Sequence, residues 1–184
     1  MKKQKHVSGR KKVCDLTAAS LMTAAPVLGR PTLLTVGEIA ERLHSFAPNT
    51  SATIERIRHW TREHLLLPVD QHHAGTGKHR RYTEQSVYDS AILTVIANAG
   101  LPIVTQDYLC SALPLARSAL RKWRQARSKN QDLPLFLQVS QGPNEASGRT
   151  VSIHEGAVKH DSISELSLTI NLSQIFTRVL KEHA

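Results

Sequence analysis

Positive charge is concentrated in one short part of this sequence. Only Glu55, Glu63 and Asp70 supply negative charge between residues 53 and 81. Six cations lie in the same segment: Arg56, Arg58, Arg62, Lys78, Arg80 and Arg81. Arginine presents paired donors that match a phosphate group or the edge of a guanine, and lysine supplies a point charge. The chemistry available to this segment is therefore the binding of a polyanion such as nucleic acid.

The whole chain carries the same bias. Its 184 residues include 24 Lys and Arg against 15 Asp and Glu, a formal net charge of +9. Apolar residues make up 40%, too many for a wholly disordered chain, and aromatic residues 4%, too few for a broad base-stacking surface. No stretch approaches the roughly 20 consecutive apolar residues of a transmembrane helix, so we expect no membrane association.

Residue types that carry catalysis or bind metals occur here without the spacing that such sites need. No Gly-x-Ser-x-Gly element occurs, and nothing places a nucleophile beside a base. Cys14 and Cys110 are too few for a disulfide framework or a four-thiolate metal site. A local histidine cluster consists of His64, His72, His73 and His79. Because the adjacent rings at 72 and 73 point apart and no cysteine is near, we predict no metal site. Because no catalytic spacing occurs, we also predict no cofactor, no catalytic residues and no enzymatic activity.

Periodicity and turn residues indicate a helical unit that begins near residue 34. Thr35 and Glu38 have the spacing of a capping box, so a first helix should begin at Val36 and run to about His44. The turn chemistry of residues 47–51 offers several possible caps for a second helix at about 51–65. Pro68 should end that helix within a residue or two.

The second helix is expected to have a polar outward side. Its inward stripe is predicted to be Ile54, Ile57, Thr61 and Leu65. Its outward residues are predicted to be Thr53, Glu55, Arg56, His59, Trp60 and Arg62. Trp60 is equally suited to a half-buried position over the core, and Arg58, next to the inward stripe, to a buttressing role.

Residues 69–82 are typical of a glycine-bearing hairpin, because Gly75 and Gly77 lie among polar residues with no helical period. The return arm contains Lys78, His79, Arg80, Arg81 and Tyr82. Thr83 is then expected to cap a third helix that stops at Gly100. The apolar face of that helix is predicted to be Val87, Ala91, Ile92, Val95, Ile96 and Ala99.

This order of elements resembles the winged helix-turn-helix of the MerR family of transcription regulators. The resemblance rests on LTVGEIA at 34–40, IRHWTREHLLLP at 57–68, GKHRRYT at 77–83 and NAGLP at 98–102. It covers residues near 34–103, and the ordered set carries it rather than any single piece.

The resemblance implies roles for individual residues. Arg58 matches a phosphate clamp, Trp60 a phosphate-contacting tyrosine, Arg80 the wing arginine and Tyr82 the second wing tyrosine. His79 departs from the family by replacing a wing aromatic. The DNA-binding residues predicted from charge, position and resemblance together are Thr53, Arg56, Arg58, His59, Trp60, Arg62, Lys78, His79, Arg80, Arg81 and Tyr82.

A second basic segment follows this unit. No acid occurs from Tyr108 to Gln131, and Pro114 is expected to open a helix of about fourteen residues. Its cations are Arg117, Arg121, Lys122, Arg124, Arg127 and Lys129. They form either a second phosphate-facing surface or a solvated face. Such a helix is too short for the coiled coil by which the resembled family dimerises.

The last part of the chain changes to alternating apolar and polar residues. Strands are predicted around 135–139, 151–154 and 166–172, followed by a closing helix capped by Ser173. A sheet of this size must pack on the closing helix, on the helical unit or on a second copy of the chain. We favour a second copy, with a ligand pocket as the alternative.

The sequence therefore predicts a mainly α fold: a MerR-like winged helix-turn-helix, a basic helix and a small α+β module with a three-stranded antiparallel sheet. The predicted segments are a basic flexible tail (1–31, solvated or touching DNA phosphates), the DNA-binding domain (32–103), basic connecting helices (104–131) and a dimerisation or effector module (132–184). We expect a cytoplasmic, nucleoid-associated homodimer that binds double-stranded DNA, distorts it and regulates transcription, with RNA polymerase as a possible partner. The alternatives are an excisionase-like architectural protein and an adaptor for an acidic protein.

Overall fold

The structure is a computed structural model that describes residues 32–69, 80–99, 106–141, 149–156 and 166–182. The predicted N-terminal tail, the tip of the hairpin with Lys78 and His79, and the stop at Gly100 lie outside these residues. The described part contains five helices and a three-stranded antiparallel sheet, so the coarse α+β prediction is confirmed. In chain order the elements are α1 (Val36–Arg42), α2 (Thr50–Arg62), α3 (Gln85–Asn98), α4 (Gln106–Ser128), β1 (Leu135–Gln141), β2 (Arg149–Glu155), β3 (Leu166–Asn171) and α5 (Leu172–Lys181).

The capping box at the start of α1 is confirmed. The backbone N–H of Thr35 donates to Glu38 Oε2 over 2.6 Å, and the N–H of Glu38 donates to Thr35 Oγ1 over 3.2 Å. The hydrogen bonds from Thr35 lower the pKa of Glu38 below its usual value. The first helix ends at Arg42, two residues before the predicted His44.

The end of α2 differs from the prediction. The helix stops at Arg62, and His64 takes the left-handed conformation with φ 58°. The N–H of Leu65 then donates to the carbonyl of Trp60 over 2.9 Å, and the N–H of His64 to the carbonyl of Thr61 over 3.2 Å. This is a Schellman closure, which usually has glycine where His64 stands. Pro68 therefore does not end the helix.

The third helix is buried on more sides than its predicted face. Side chains from Ser86 to Thr94 are all buried, because α3 packs against α1, α4 and α5. No side chain caps its first turn, so the predicted cap at Thr83 is wrong.

The fourth helix is longer than predicted. It spans 23 residues and contains Pro114 in its interior, so the expectation that Pro114 opens the helix is wrong. A proline there lacks the N–H that would bond to the carbonyl of Cys110, and the helix continues through that missing bond. Its apolar face is buried inside the chain and consists of Ala112, Leu113, Ala116, Ala119, Leu120 and Trp123.

The sheet has the order β2-β1-β3, and its apolar face is covered within the chain. Leu137 of β1 is opposite Ile153 of β2 and Ile170 of β3, on the face that packs against α4 and α5. The expectation that a second copy covers this face is therefore wrong. Residues 31–184 form one compact unit, and a single hydrophobic core joins the helices to the sheet.

The closing helix begins two residues earlier than predicted. Asn171 caps it, since Asn171 Oδ1 accepts from the N–H of Gln174 over 2.9 Å. Ser173 instead ties α5 to the start of β1: its hydroxyl accepts from the N–H of Leu135 and donates to the carbonyl of Leu133, each over 2.7 Å. Serine was a reasonable candidate for the cap, but the neighbouring strand uses its hydroxyl.

Candidate nucleic-acid interface

Short main-chain pairings hold the return arm, residues 80–82, against the rest of the helical unit. Leu34 and Tyr82 exchange two backbone hydrogen bonds of 2.9 and 2.8 Å, and the N–H of Val69 donates to the carbonyl of Arg81 over 2.8 Å. The arm thus lies between the chain that enters α1 and the chain that leaves α2. It follows directly after residues 70–79, the part of the hairpin that the structure leaves undescribed.

One side-chain hydrogen bond fixes the arm beside the last turn of α2. The hydroxyls of Thr61 and Tyr82 lie 2.9 Å apart, and both side chains are buried. Thr61 also donates to the carbonyl of Ile57 over 2.8 Å, so its hydroxyl accepts the hydrogen bond that the Tyr82 hydroxyl donates. Arg62 and Arg81, the chain neighbours of this bonded pair, are both exposed.

Three of the predicted DNA-binding residues are core residues in this structure. Thr53 is 1% exposed, Trp60 6% and Tyr82 fully buried, so a direct DNA contact by any of them is wrong for this conformation. The buried face of α2 is formed by Thr53, Ile57, Trp60 and Thr61, which recur at helical spacing. Of the predicted inward stripe, Ile57, Thr61 and Leu65 are buried as predicted, and Ile54 is only half-buried.

The other described candidates are exposed: Arg56, Arg58, His59, Arg62, Arg80 and Arg81. Arg56 braces the fold, because its Nη1 donates to Asn98 Oδ1 over 3.0 Å, and Asn98 Nδ2 donates to the carbonyl of Phe46 over 3.4 Å. This chain of bonds connects α2, the end of α3 and the turn between α1 and α2. Arg56 therefore has a positioning role as well as an exposed charge.

Arg58 is held by a neighbouring carboxylate. Its Nη1 lies 2.5 Å from Glu55 Oε1, and both side chains are more than half exposed. An exposed pair of this kind is worth only about 0–1 kcal/mol, so it orders the guanidinium without preventing it from meeting another anion. The buttressing alternative for Arg58 does not apply, because the residue points to solvent rather than to the core.

Three exposed arginines at the end of α2 and in the arm have charges that are not paired in the described part of the chain: Arg62, Arg80 and Arg81. None of the three forms an ion pair or a side-chain hydrogen bond within the described ranges. Arg81 is close enough to Glu38 to contribute to lowering the pKa of that carboxyl. We call Arg62, Arg80 and Arg81 the arginine ridge.

The cations of α4 are arranged differently. Arg117, Lys122 and Arg124 pair with Asp89, Glu155 and Glu84 at 2.8, 2.7 and 3.2 Å. The guanidinium of Arg127 lies 5.3 Å from the centre of the Trp123 ring. In the described part, Arg121 and Lys129 are the two α4 cations without such a partner. Most of this basic surface is therefore committed to internal contacts.

Arg178 was missed at the sequence level. It lies on α5, yet its Nη2 donates to the carbonyl of Ser45 over 2.7 Å, and its guanidinium lies 4.9 Å from the ring centre of Phe46. The C-terminal helix thus anchors the turn that joins α1 to α2. An exposed arginine in an amphipathic helix carries no sequence signal for such a contact across 133 residues.

The histidines and cysteines considered in the sequence lie only partly within the described residues. Among the described residues, no three His, Cys, Asp or Glu side chains group as metal ligands would; His72, His73 and His79 lie outside that part. Cys110 is disulfide-bonded, which the sequence reasoning did not anticipate. In the same described ranges, no helix combines the length and apolar character needed to cross a bilayer.

Comparison with known proteins does not indicate a function. The chain matches no family model and none of the curated proteins with which it was compared.

Proposed function

We propose that this protein binds double-stranded DNA sequence-specifically and regulates transcription, with α2 in the major groove and the arm on the phosphate backbone. The observation that carries the proposal is the arginine ridge, three exposed guanidinium groups on adjacent elements, without a carboxylate partner in the described part. Cations that are not neutralised internally are available to neutralise phosphates and release their counterions.

The shape of α2 supports the same proposal. Its 13 residues span about 20 Å, and an α-helix fits the major groove of B-DNA. Ser51 and Ala52 are exposed in its first turn, and such small side chains let a helix approach base edges closely. Arg58 and His59 follow about two turns later on the exposed side, and Arg62 about one turn after them.

The proposal is tested by the salt dependence of binding. Fluorescence anisotropy on a random duplex should give a log affinity that falls steeply with log salt, by about 0.9 for each phosphate neutralised. Replacing Arg62, Arg80 and Arg81 together by alanine should make that slope shallower by about three. The matched control is Arg121→Ala, an exposed and unpaired cation on α4. An unchanged slope in the triple variant, or an equal change in the control, contradicts the proposed surface.

Sequence specificity needs its own measurement. Selection from a pool of random duplexes should enrich one motif, and a permuted-site gel assay of that motif reports bending. Strong bending without an enriched motif would favour the architectural alternative. Salt-dependent binding to an acidic protein with none to DNA would favour the adaptor.

The proposal includes a homodimer at a promoter, contact with RNA polymerase and a cytoplasmic, nucleoid-associated location, which the family resemblance implies. The full chain is needed for the dimer test, because removing residues beyond Asn130 would strip the sheet and α5 from the shared core. Light scattering of the full chain, alone and with the selected duplex, should give two protomers per DNA. One protomer per duplex contradicts the dimer.

A further inference from the structure

A cleft of about 400 Å³ opens on the side of the molecule formed by α3, α4 and α5. Glu84 and Tyr88 line it from the start of α3, Trp123, Arg124 and Arg127 from α4, and Leu180 from α5. None of these residues belongs to the arginine ridge or to α2. The cleft is therefore separate in its residues from the proposed DNA interface.

Aromatic rings give the cleft a fixed apolar wall. The ring centres of Tyr88 and Trp123 lie 6.0 and 5.6 Å from that of Phe176, which is fully buried beneath them. Because Phe176 supports both rings, their positions are set by the core. A flat apolar group is the kind of ligand body that such a wall accepts.

Two guanidinium groups give the same cleft a positive character. That of Arg124 lies 5.0 Å from the Tyr88 ring centre, and that of Arg127 lies 5.3 Å from the Trp123 ring centre. Arg124 is paired with Glu84 at 3.2 Å, but both side chains are about half exposed. A pair of that kind is weak, so a ligand carboxylate can take the place of Glu84. Arg127 has no carboxylate partner in the described part of the chain.

One further observation points to an absent acceptor. The hydroxyl of Tyr88 is buried and has no hydrogen-bond partner, although Tyr88 lines the cleft. A buried hydroxyl without a partner is costly, and an oxygen of a bound ligand would satisfy it.

We propose that this cleft binds a small aromatic carboxylate. Tyr88 is fully buried and Trp123 5% exposed beneath the two guanidinium groups, so the ligand ring takes the place of those groups over the two rings, and its carboxylate pairs with the displaced Arg124 and Arg127. The apolar wall and the paired cations select both halves of such a ligand. The site is independent of DNA binding, since its residues are distinct from the ridge, and its test contains no DNA.

Isothermal titration calorimetry with 2-naphthoate, and with 2-naphthamide as the uncharged match, tests the site on the full chain. The acid should bind with a Kd of about 1 mM or tighter, which is what a ligand of this size achieves. It should bind at least about tenfold more tightly than the amide, because charge-assisted bonds to guanidinium are lost with the amide. Equal affinities for the two, or no heat from either, would overturn the proposal.

Variants locate the binding. Arg127→Gln should weaken 2-naphthoate by about tenfold, and Tyr88→Phe by several-fold through loss of its hydroxyl. Arg121→Gln, on the same helix and outside the cleft lining, should leave the affinity unchanged. Thermal unfolding of each variant shows whether it is folded, and the comparison of acid with amide on the unaltered protein stands whatever the variants do. If Arg121→Gln and Arg127→Gln weaken 2-naphthoate binding equally, the effect comes from net charge alone, and the proposed site is contradicted.

Discussion

The arginine ridge and the α4 surface are both rich in cations, and the structure uses those cations in different ways. On the ridge, three guanidinium groups face solvent without a carboxylate partner among the described residues. On α4, Arg117, Lys122 and Arg124 are each tied to a carboxylate of another element. A count of charges cannot separate the two surfaces. The difference lies in whether each cation already has a partner, and it is the reason that the ridge rather than α4 is proposed to bind DNA.

The largest effect should come from removing Arg117. Its Nε and Nη2 donate to Asp89 Oδ2 over 3.0 and 2.8 Å, and Asp89 is 2% exposed. Removing one partner of a buried pair leaves the other charge uncompensated, so Arg117→Ala should lower the free energy of unfolding by about 3–5 kcal/mol. Urea denaturation at pH 8 measures the loss. Lys122→Ala is the matched control, since its exposed pair with Glu155 should be worth about 0–1 kcal/mol.

The same variant carries a pH signature. Burial raises the pKa of Asp89 above 3.8, and the charge and hydrogen bonds of Arg117 oppose that rise. Without Arg117 the pKa of Asp89 rises further, so the folded state binds a proton that the unfolded chain releases. The stability of the variant should therefore be lost as pH rises from about 4 through the folded pKa, and its deficit should be smallest in acid. A deficit that does not change with pH would contradict this role for the pair.

Tyr82→Phe is expected to have a smaller effect, on stability alone. It removes the hydroxyl that bonds to Thr61, which should cost about 0.5–1.5 kcal/mol in urea denaturation. Since Tyr82 is fully buried, the salt slope of DNA binding should not change. A slope that becomes shallower by about one would restore Tyr82 as the DNA-binding residue that the sequence predicts. The double variant with Thr61→Val should lose no more than the two single changes combined, because both remove the same bond.

Comparing the predicted with the observed α2 shows which features of the candidate site the sequence predicts. Its existence and its exposed arginines follow from periodicity and charge, and the capping box of α1 follows from Thr35 and Glu38. The predicted inward face was incomplete: it missed Thr53 and Trp60, because the direction of such amphipathic residues depends on what packs above them. The early end of α2 was missed because His64 occupies a position that usually signals itself by glycine.

The features that could not be predicted from the sequence are contacts between residues far apart in the chain. The bonds from Arg56 to Asn98 and from Arg117 to Asp89 join residues 42 and 28 positions apart. Arginine is common on helix surfaces, and only the tertiary arrangement decides which guanidinium meets a carboxylate. The predicted second copy over the sheet failed for a related reason: α4 and α5, which periodicity predicts as helices but cannot place in space, cover the sheet within one chain.

The smallest expected effect sharpens the comparison within α2, the helix proposed to bind DNA. Glu55 and Arg58 form the one ion pair of α2 in the described part, so Arg58 resembles the α4 cations more than the ridge. Glu55→Gln should raise affinity for a random duplex by up to about fivefold, because it releases Arg58 and removes a charge that repels phosphate. Fluorescence anisotropy at fixed salt measures the gain, with Glu182→Gln, an exposed carboxylate after α5, as the match for net charge. If both variants gain affinity equally, the Glu55–Arg58 pair has no specific role in DNA binding. If the gain of Glu55→Gln disappears when Arg58 is also replaced by alanine, Glu55 acts by holding Arg58 away from the DNA phosphates.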